Sequence, residues 1–174
     1  MNRLDERYDL LLEDTDNSFN QADIVDHLPT LRSYADQCEY ITEFGAREGI
    51  STTAFLAARP KRVITYDLGD FRLLDALADI AKEEGLNFKY IKRNTIQEGW
   101  TIDDTDLLFI DTFHVGPHLA EELKQHADKV RKYIILHDTE SYGWLGQCHM
   151  PGLMYAIRFS SIGTISTEVG TLAR

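Results

Sequence analysis

The sequence predicts an α/β protein, a doubly wound, mostly parallel sheet with helices on both faces. Three observations carry this reading. From residue 40 onward, short apolar runs alternate with helical stretches. The runs are short, apolar and rich in β-branched or aromatic residues, as strands buried on both faces are. A glycine-containing turn joins the first run directly to a helix, the βα junction of such a sheet.

Five runs read as strands: Tyr40–Phe44, Arg62–Tyr66, Phe88–Ile91, Leu107–Ile110 and Tyr133–Leu136. Between them, Ser51–Arg59 reads as a helix stopped by Pro60. Phe71–Glu84 follows Asp70 as a candidate N-cap and ends at Gly85, which suits a C′ position. Pro117–Val130 starts with proline in its first turn and puts Leu119, Leu123, Ala127 and Val130 on one face. The stretch 95–105 has no clear period and reads as a loop or a short helix. After a helix over Met154–Phe159, the runs Gly163–Val169 and Thr171–Ala173 are separated only by Gly170. So short a link joins antiparallel neighbours, so the expected sheet has seven strands with an antiparallel C-terminal one. Ahead of all this lies an acidic helical leader, residues 1–39, with nine acids and three arginines in its first 36 positions. Ser18 and Gln21 suggest a capping box, with Ile24, Val25 and Leu28 facing inward. Pro29 is expected to break or restart that helix before Leu31 and Tyr34. The leader either presents a solvated acidic face or covers a sheet edge and gates a site.

The chain has 174 residues with 18 Lys+Arg against 29 Asp+Glu, a formal net charge of −11. Such an acidic balance argues against nucleic-acid binding, which rests on basic side chains neutralising phosphates, and against anionic membrane surfaces. The hydrophobic fraction of 43% is that of a globular domain, not of a disordered chain. No N-terminal apolar segment with basic flanks and no stretch of about 20 apolar residues occurs. Cys38 and Cys148 stand far apart, outside any CxxC pair, and read as reduced thiols. A cytoplasmic protein is expected.

The chemistry concentrates at the ends of strands. Glu43-Phe-Gly45-Ala-Arg47-Glu-Gly49-Ile-Ser51 leaves a buried strand and opens a helix, where glycines let a ligand approach the backbone. It is not GxGxxG, because Arg47 replaces the second glycine of the dinucleotide fingerprint. Asp67 ends the next strand, 18 residues after Gly49, where an acid commonly accepts hydrogen bonds from ribose hydroxyls. Its plainer alternative is a helix cap. Two further strands deliver Asp111, followed by His114, and His137-Asp138 to the same edge. Carboxylates brought together there repel unless separated, protonated or bridged by a cation, and oxygen ligands suit Mg²⁺. His114 and His137 are candidates to ligate a softer metal or to act as bases. Alternatively, the acids cap loops and the histidines satisfy local backbone groups.

Together, Glu43-x-Gly45-x-x-x-Gly49, Asp67, Phe-Ile-Asp111-x-x-His114 and Ile-Leu-His137-Asp138-Thr139 resemble class I S-adenosylmethionine-dependent methyltransferases. More narrowly, the pattern is similar to the small-molecule O-methyltransferases grouped with cephalosporin-hydroxylase and macrolide-sugar methyltransferase relatives. The resemblance covers residues 40–174, the expected catalytic domain, and implies a Rossmann-like fold closed by an antiparallel hairpin. It implies S-adenosylmethionine as cofactor, with Glu43, Gly45, Gly49, Asp67, Asn94 and Asp111 around it. It further implies a divalent cation, Mg²⁺, on Asp111 and Asp138 with His137 beside them, and His114 as the base working with Asp111. His137 stands where some relatives have a second acid. The implied acceptor is a hydroxylated small molecule, its pocket completed by the leader, the 139–151 loop or a second subunit of a homo-oligomer. The Asn/Asp-Pro-Pro-aromatic run typical of amino-group methylation is absent after Asp111, which favours oxygen. Two alternatives remain open: a non-catalytic binding module on the same fold, and another nucleoside-cofactor enzyme such as a nicotinamide-dependent oxidoreductase.

Overall fold

In the computed structural model, which describes residues 2–13, 22–159 and 168–171, six strands form one sheet in the order β3-β2-β1-β4-β5-β6. They are β1 (Tyr40–Phe44), β2 (Arg62–Asp67), β3 (Phe88–Lys92), β4 (Thr105–Ile110), β5 (Val130–Leu136) and β6 (Glu168–Thr171). The helices are α1 (Arg3–Glu13), α2 (Ala22–Asp26), α3 (Leu28–Ala35), α4 (Ile50–Ala57), α5 (Arg72–Glu83), α6 (Gly116–His126) and α7 (Leu153–Phe159). Every ladder is parallel. Strand order reverses between β1 and β4, which are adjacent, and such a reversal opens a crevice at the carboxyl ends of the strands.

The alternation of side chains across the sheet divides the core in two. Ile41, Val63, Leu107, Phe109 and Ile135 face a cluster that includes α4, α5 and the leader helices. Phe44, Ile64, Leu108, Ile110, Ile134 and Leu136 face Leu119 and Leu123 of α6 and Leu153 and Ala156 of α7. Every position of β4 is buried, which explains its uninterrupted apolar run. At the edge, β3 exposes Lys89 and Lys92, charges that discourage further strand pairing.

The leader is part of this core. Leu4, Tyr8 and Leu11 of α1 and Leu28, Leu31 and Ala35 of α3 are buried, and both helices pack on α4. All eight residues of α4 are thereby buried. Among the described residues, Glu6, Asp9 and Glu13 of α1 and Asp26 of α2 are exposed, opposite apolar inner faces.

Several expectations need correction. The C-terminal strand is not antiparallel. Gly170 lies within β6 opposite Ile135, and β6 runs parallel to β5. With α7 between the two strands the connection is long enough for a parallel crossover, so Gly170 is no turn. The described sheet therefore has six parallel strands, while much of the Gly163–Val169 run and Ala173 lie outside the described residues. Pro29 does not break a helix but sits in the first turn of α3, where its missing N–H has no intrahelical partner to lose. Val130 opens β5 rather than closing α6, which ends at His126 in a short 3₁₀ turn. Phe71, not Asp70, occupies the N-cap of α5, while Asp70 pairs with Lys92. Ser18 and Gln21 lie outside the described residues. Gly85 does take the left-handed conformation after α5, with φ of 73°. Cys38 and Cys148 are both free thiols. Among the described residues no helix is long and apolar enough to cross a membrane.

Glu43 is fully buried in the face under α4. Its carboxyl accepts from Ser51 Oγ at 2.5 Å, Thr52 Oγ1 at 2.6 Å and Thr65 Oγ1 at 2.7 Å, joining β1 to β2 and to the first turn of α4. Burial pushes the Glu43 carboxyl up from 4.5 to about 7, against the three hydroxyls. Between these values the folded protein binds more protons than the unfolded chain, so this group's contribution to stability falls as pH rises. Urea unfolding at pH 5 and pH 8 should show the wild type losing about 2.5 kcal/mol more than Glu43→Gln over that interval. Equal losses would mean that Glu43 ionises normally.

Candidate functional site

The crevice at the strand reversal is shaped by a tight loop after β1. Gly45, Arg47 and Gly49 have φ of 81°, 43° and 73°, so the chain curls three times within five residues. At Gly45 a side chain is excluded twice over. Its positive φ is costly for an L residue, and a Cβ would stand 2.0 Å from the Asp111 carbonyl oxygen. At Gly49 a Cβ would meet Leu77 at 2.6 Å and Leu74 at 2.9 Å, so that glycine lets α5 pack against the loop.

Asp67 ends β2 opposite this loop and is used in full. One carboxylate oxygen accepts the N–H of Ala46 at 2.9 Å and of Arg47 at 3.0 Å. The other accepts from Leu68 at 2.6 Å and Gly69 at 3.1 Å. The acid thus staples two loops through four N–H groups.

A cavity of about 230 Å³ opens here, lined among others by Gly45, Arg47, Asp67, Asn94, Asp111 and Phe113. Of the residues expected around a cofactor, Gly45, Asp67, Asn94 and Asp111 line it. Glu43 and Gly49 lie behind the loop and shape it from beneath. Asn94 accepts the N–H of Ile96 at 3.1 Å, an Asx turn that presents its side-chain amide at the rim.

A second cavity of about 270 Å³ adjoins the first and shares Arg47, Asp111 and Thr112 with it. Its wall holds His114, His137, Asp138, Gln147 and, from the leader, Ile24. Here the two strand-end acids meet two imidazoles. His114 Nε2 lies 3.0 Å from Asp111 Oδ1 and 3.3 Å from Asp138 Oδ2. His137 Nδ1 lies 3.4 Å from each of the same oxygens. Asp138 adopts φ of 56°, a left-handed conformation that aspartate tolerates better than most residues. His114 stacks flat on Tyr142, ring centroids 4.8 Å apart, and His27 of the leader packs edge-on against His137 at 5.3 Å.

These contacts fix the charges. Burial alone would raise Asp111, but the hydrogen bond with His114 and the close approach of both imidazoles outweigh it and hold its carboxyl at about 2. Asp138 is also lowered, chiefly by His137. Burial works against a charged His137, yet the two carboxylates hold its imidazole up at about 10. The residues also fit a divalent cation. One ligand atom from each of Asp111, His114 and Asp138 lies within 4.8 Å of the other two, and the buried His137 Nδ1, 3.4 Å from both carboxylates, makes no aligned hydrogen bond.

Several residues of the site escaped the sequence reading. Thr95, Thr112, His118 and Glu122 form one: Glu122, fully buried on α6, accepts from Thr95 at 2.6 Å and Thr112 at 3.0 Å. His118 lies 3.2 Å from the same carboxylate, across one helical turn. A Glu four residues after a His on an apolar helix face was the available signal. Arg47 and Gln147 had none beyond their loops.

Comparison with solved structures finds a candidate caffeoyl-CoA O-methyltransferase from Staphylococcus aureus, 16% identical over 71% of this chain and 61% of that one, with a TM-score of 0.52. A candidate O-methyltransferase from Klebsiella pneumoniae is 18% identical over 72% and 61%, with a TM-score of 0.45. An O-methyltransferase family protein from Burkholderia thailandensis is 15% identical over 67% and 38%, with a TM-score of 0.47. At such identities the likeness is one of fold, and the Staphylococcus aureus structure carries it. The chain spans 38–61% of the length of these three structures. No protein-family model matches the chain, and no curated protein does.

Gly45→Ala tests the close approach at the reversal. It should destabilise by about 2 kcal/mol or more, through both strain and collision. Gly99→Ala, also at positive φ (75°) but with open space around it, should cost about 1 kcal/mol. Equal costs in thermal or urea unfolding would show that the collision with Asp111 is relieved without effect.

Proposed function

We propose that this chain binds S-adenosylmethionine in the first cavity and transfers its methyl group to an oxygen of a hydroxylated small molecule held in the second. The observation that carries the reading is the shared wall: Arg47, Asp111 and Thr112 line both cavities, so a donor in one and an acceptor in the other meet at Asp111. The likeness of fold to the candidate caffeoyl-CoA O-methyltransferase from Staphylococcus aureus supports it.

Transfer is an in-line displacement at the methyl carbon. A C–O bond forms as the S–C bond breaks and the S–C electron pair stays on sulfur, while the hydroxyl proton passes to solvent water. Much of the acceleration lies in holding the three atoms in line, which two adjoining cavities on a rigid sheet edge are suited to do. The nucleoside side falls to Asp67, Asn94 and the Gly45 loop. Ribose binding at Asp67 requires exchanging one or more backbone N–H partners for a ribose hydroxyl, because its carboxylate already accepts four. Tyr142, stacked on His114, and the exposed Trp144 and Leu145 offer a flat apolar wall for an acceptor beside the cluster.

An alcohol or phenol is a weak nucleophile until its proton is lost or its oxygen rests on a cation. A divalent cation held by Asp111, Asp138 and the adjoining imidazoles would supply that polarisation, with Mg²⁺ the ion that the carboxylates alone suggest. His114 was expected to serve as base. Its Nε2 is turned onto Asp111 and Asp138 rather than into open space, so holding the cation suits it better than taking a proton from the acceptor. The run Asp111-Thr-Phe-His114 after β4, in place of a proline-rich one, supports oxygen over amino nitrogen as the target.

Calorimetry with S-adenosylmethionine, S-adenosylhomocysteine and NADH tests this reading. Micromolar binding of the first two, at least tenfold weaker in Asp67→Ala, with no binding of NADH, is the expected result. Binding of NADH alone, or of none of the three, would overturn it. With cofactor bound, Asp111→Asn should abolish turnover of methyl-labelled cofactor with polyhydroxylated aromatic acceptors while leaving S-adenosylhomocysteine binding within about fivefold of wild type.

A further inference from the structure

We infer that Asp111, Asp138, His114 and His137 form a four-donor site for a first-row transition-metal dication of the Mn²⁺, Co²⁺ or Zn²⁺ class, in preference to Mg²⁺. The inference rests on reading the cluster as a cation site and is independent of methyl transfer itself.

The first ground is the spacing of the donors. Oxygens and imidazole nitrogens alternate around the cluster, and the four O···N separations are 3.0, 3.3, 3.4 and 3.4 Å. Donors bound at about 2.1 Å to one ion are separated by about 3.0 Å at right angles and about 3.4 Å at the tetrahedral angle. The four O···N separations span that range, and Asp111, His114 and Asp138 each place a ligand atom within 4.8 Å of the other two.

The second ground is the unmet hydrogen bonding of His137. Its side chain is only 4% exposed, and Nδ1 points into the cluster with no aligned hydrogen-bond partner. An ion at the centre takes the lone pair of that nitrogen in place of the proton that the two carboxylates otherwise hold on it. His114 offers its Nε2 to the same centre and is braced by the flat stack on Tyr142.

Donor chemistry then selects the ion. Mg²⁺ takes oxygen ligands and retains several waters, whereas imidazole suits Mn²⁺, Fe²⁺, Co²⁺ and Zn²⁺. A site with half its protein donors from imidazole, and one of those donors deeply buried, is ill suited to an ion that keeps its water shell. The His137-Asp138 pair after β5 thus adds a second nitrogen to that of His114, where two consecutive acids would have left His114 as the one nitrogen among oxygens.

Calorimetry on tag-free protein in metal-free buffer, with Co²⁺, Zn²⁺, Mn²⁺ and Mg²⁺ each titrated alone, tests this. The exposed Cys148 and His149 are first removed as Cys148→Ser and His149→Gln, so that they bind nothing. One Co²⁺ per chain, at least 100-fold tighter than Mg²⁺, is expected. His114→Gln and His137→Gln should each weaken Co²⁺ at least tenfold and alter its visible absorption, and Asp138→Asn should do the same should either histidine variant fail to fold. Mg²⁺ within tenfold of Co²⁺, no stoichiometric metal binding, or a Co²⁺ spectrum indifferent to all three substitutions would overturn the inference. S-adenosylhomocysteine binding in EDTA separates the two readings: retained without metal binding, it leaves the methyltransferase proposal standing and ends this one.

Discussion

The close approach of the loop after β1 to the end of β4 governs the geometry of everything nearby. Because Gly45 has no side chain, the Asp111 carbonyl oxygen occupies space that a Cβ would need, and the Asp111 N–H bonds the Phe44 carbonyl at 2.9 Å. The two strands flanking the reversal are therefore locked in register up to their final residues. Asp111 is thereby held between the two cavities, and Asp138, one strand further along, reaches the same centre. Had the loop left β1 more widely, Asp111 would have stood at one cavity's rim instead of in the wall common to both.

Four acids lie at or just behind one edge of this sheet, and each is accommodated differently. Asp67 meets backbone N–H groups from two loops. Glu43 meets three hydroxyls and is held neutral more readily than an exposed carboxyl. Asp111 and Asp138 meet imidazoles, and their charge is strongly favoured. The last pair faces side-chain partners, which a ligand replaces without unmaking a helix start, whereas a ligand at Asp67 must take the place of backbone N–H groups of its two loops. Net charge thus says little about the site; the partners of each carboxylate decide whether it is structural or available.

Much of the fold was legible because its signals are local. The runs 40–44, 62–66 and 107–110 are mostly apolar, and the structure buries nearly all of their residues. Pro60, Gly85 and Pro117 punctuate helices as their backbone chemistry requires. The sheet's last strand was misread because a single glycine between two β-rich runs has the same local appearance as a turn and as a strand interior. Only pairing across the sheet distinguishes them, and Gly170 lies in the β5 ladder. In the site, Asp111, His114 and His137-Asp138 were visible as polar residues abruptly ending apolar strands. Their convergence was not, because it depends on strand order. Nor was the saturation of Asp67, because its partners are backbone N–H groups, which leave no trace in side-chain patterns.

The leader shows how an element with no chemical motif still bears on the site. Its acids drew attention to a solvated face, yet Leu4, Tyr8, Leu11, Leu28 and Leu31, at helical spacing, bury against α4. That burial holds α2 and the turn after it over the second cavity, where Ile24 lines the wall and His27 packs edge-on against His137. An imidazole pressed from behind in this way has fewer orientations open to it, and its Nδ1 stays directed at Asp111 and Asp138. Preorganisation of this kind lowers the entropic cost of gathering donors around an ion or a polar ligand. The apolar stripe of the leader and the polar edge of the sheet are thus parts of one arrangement, in which hydrophobic burial on one face of α4 sets the aim of a side chain just after β5.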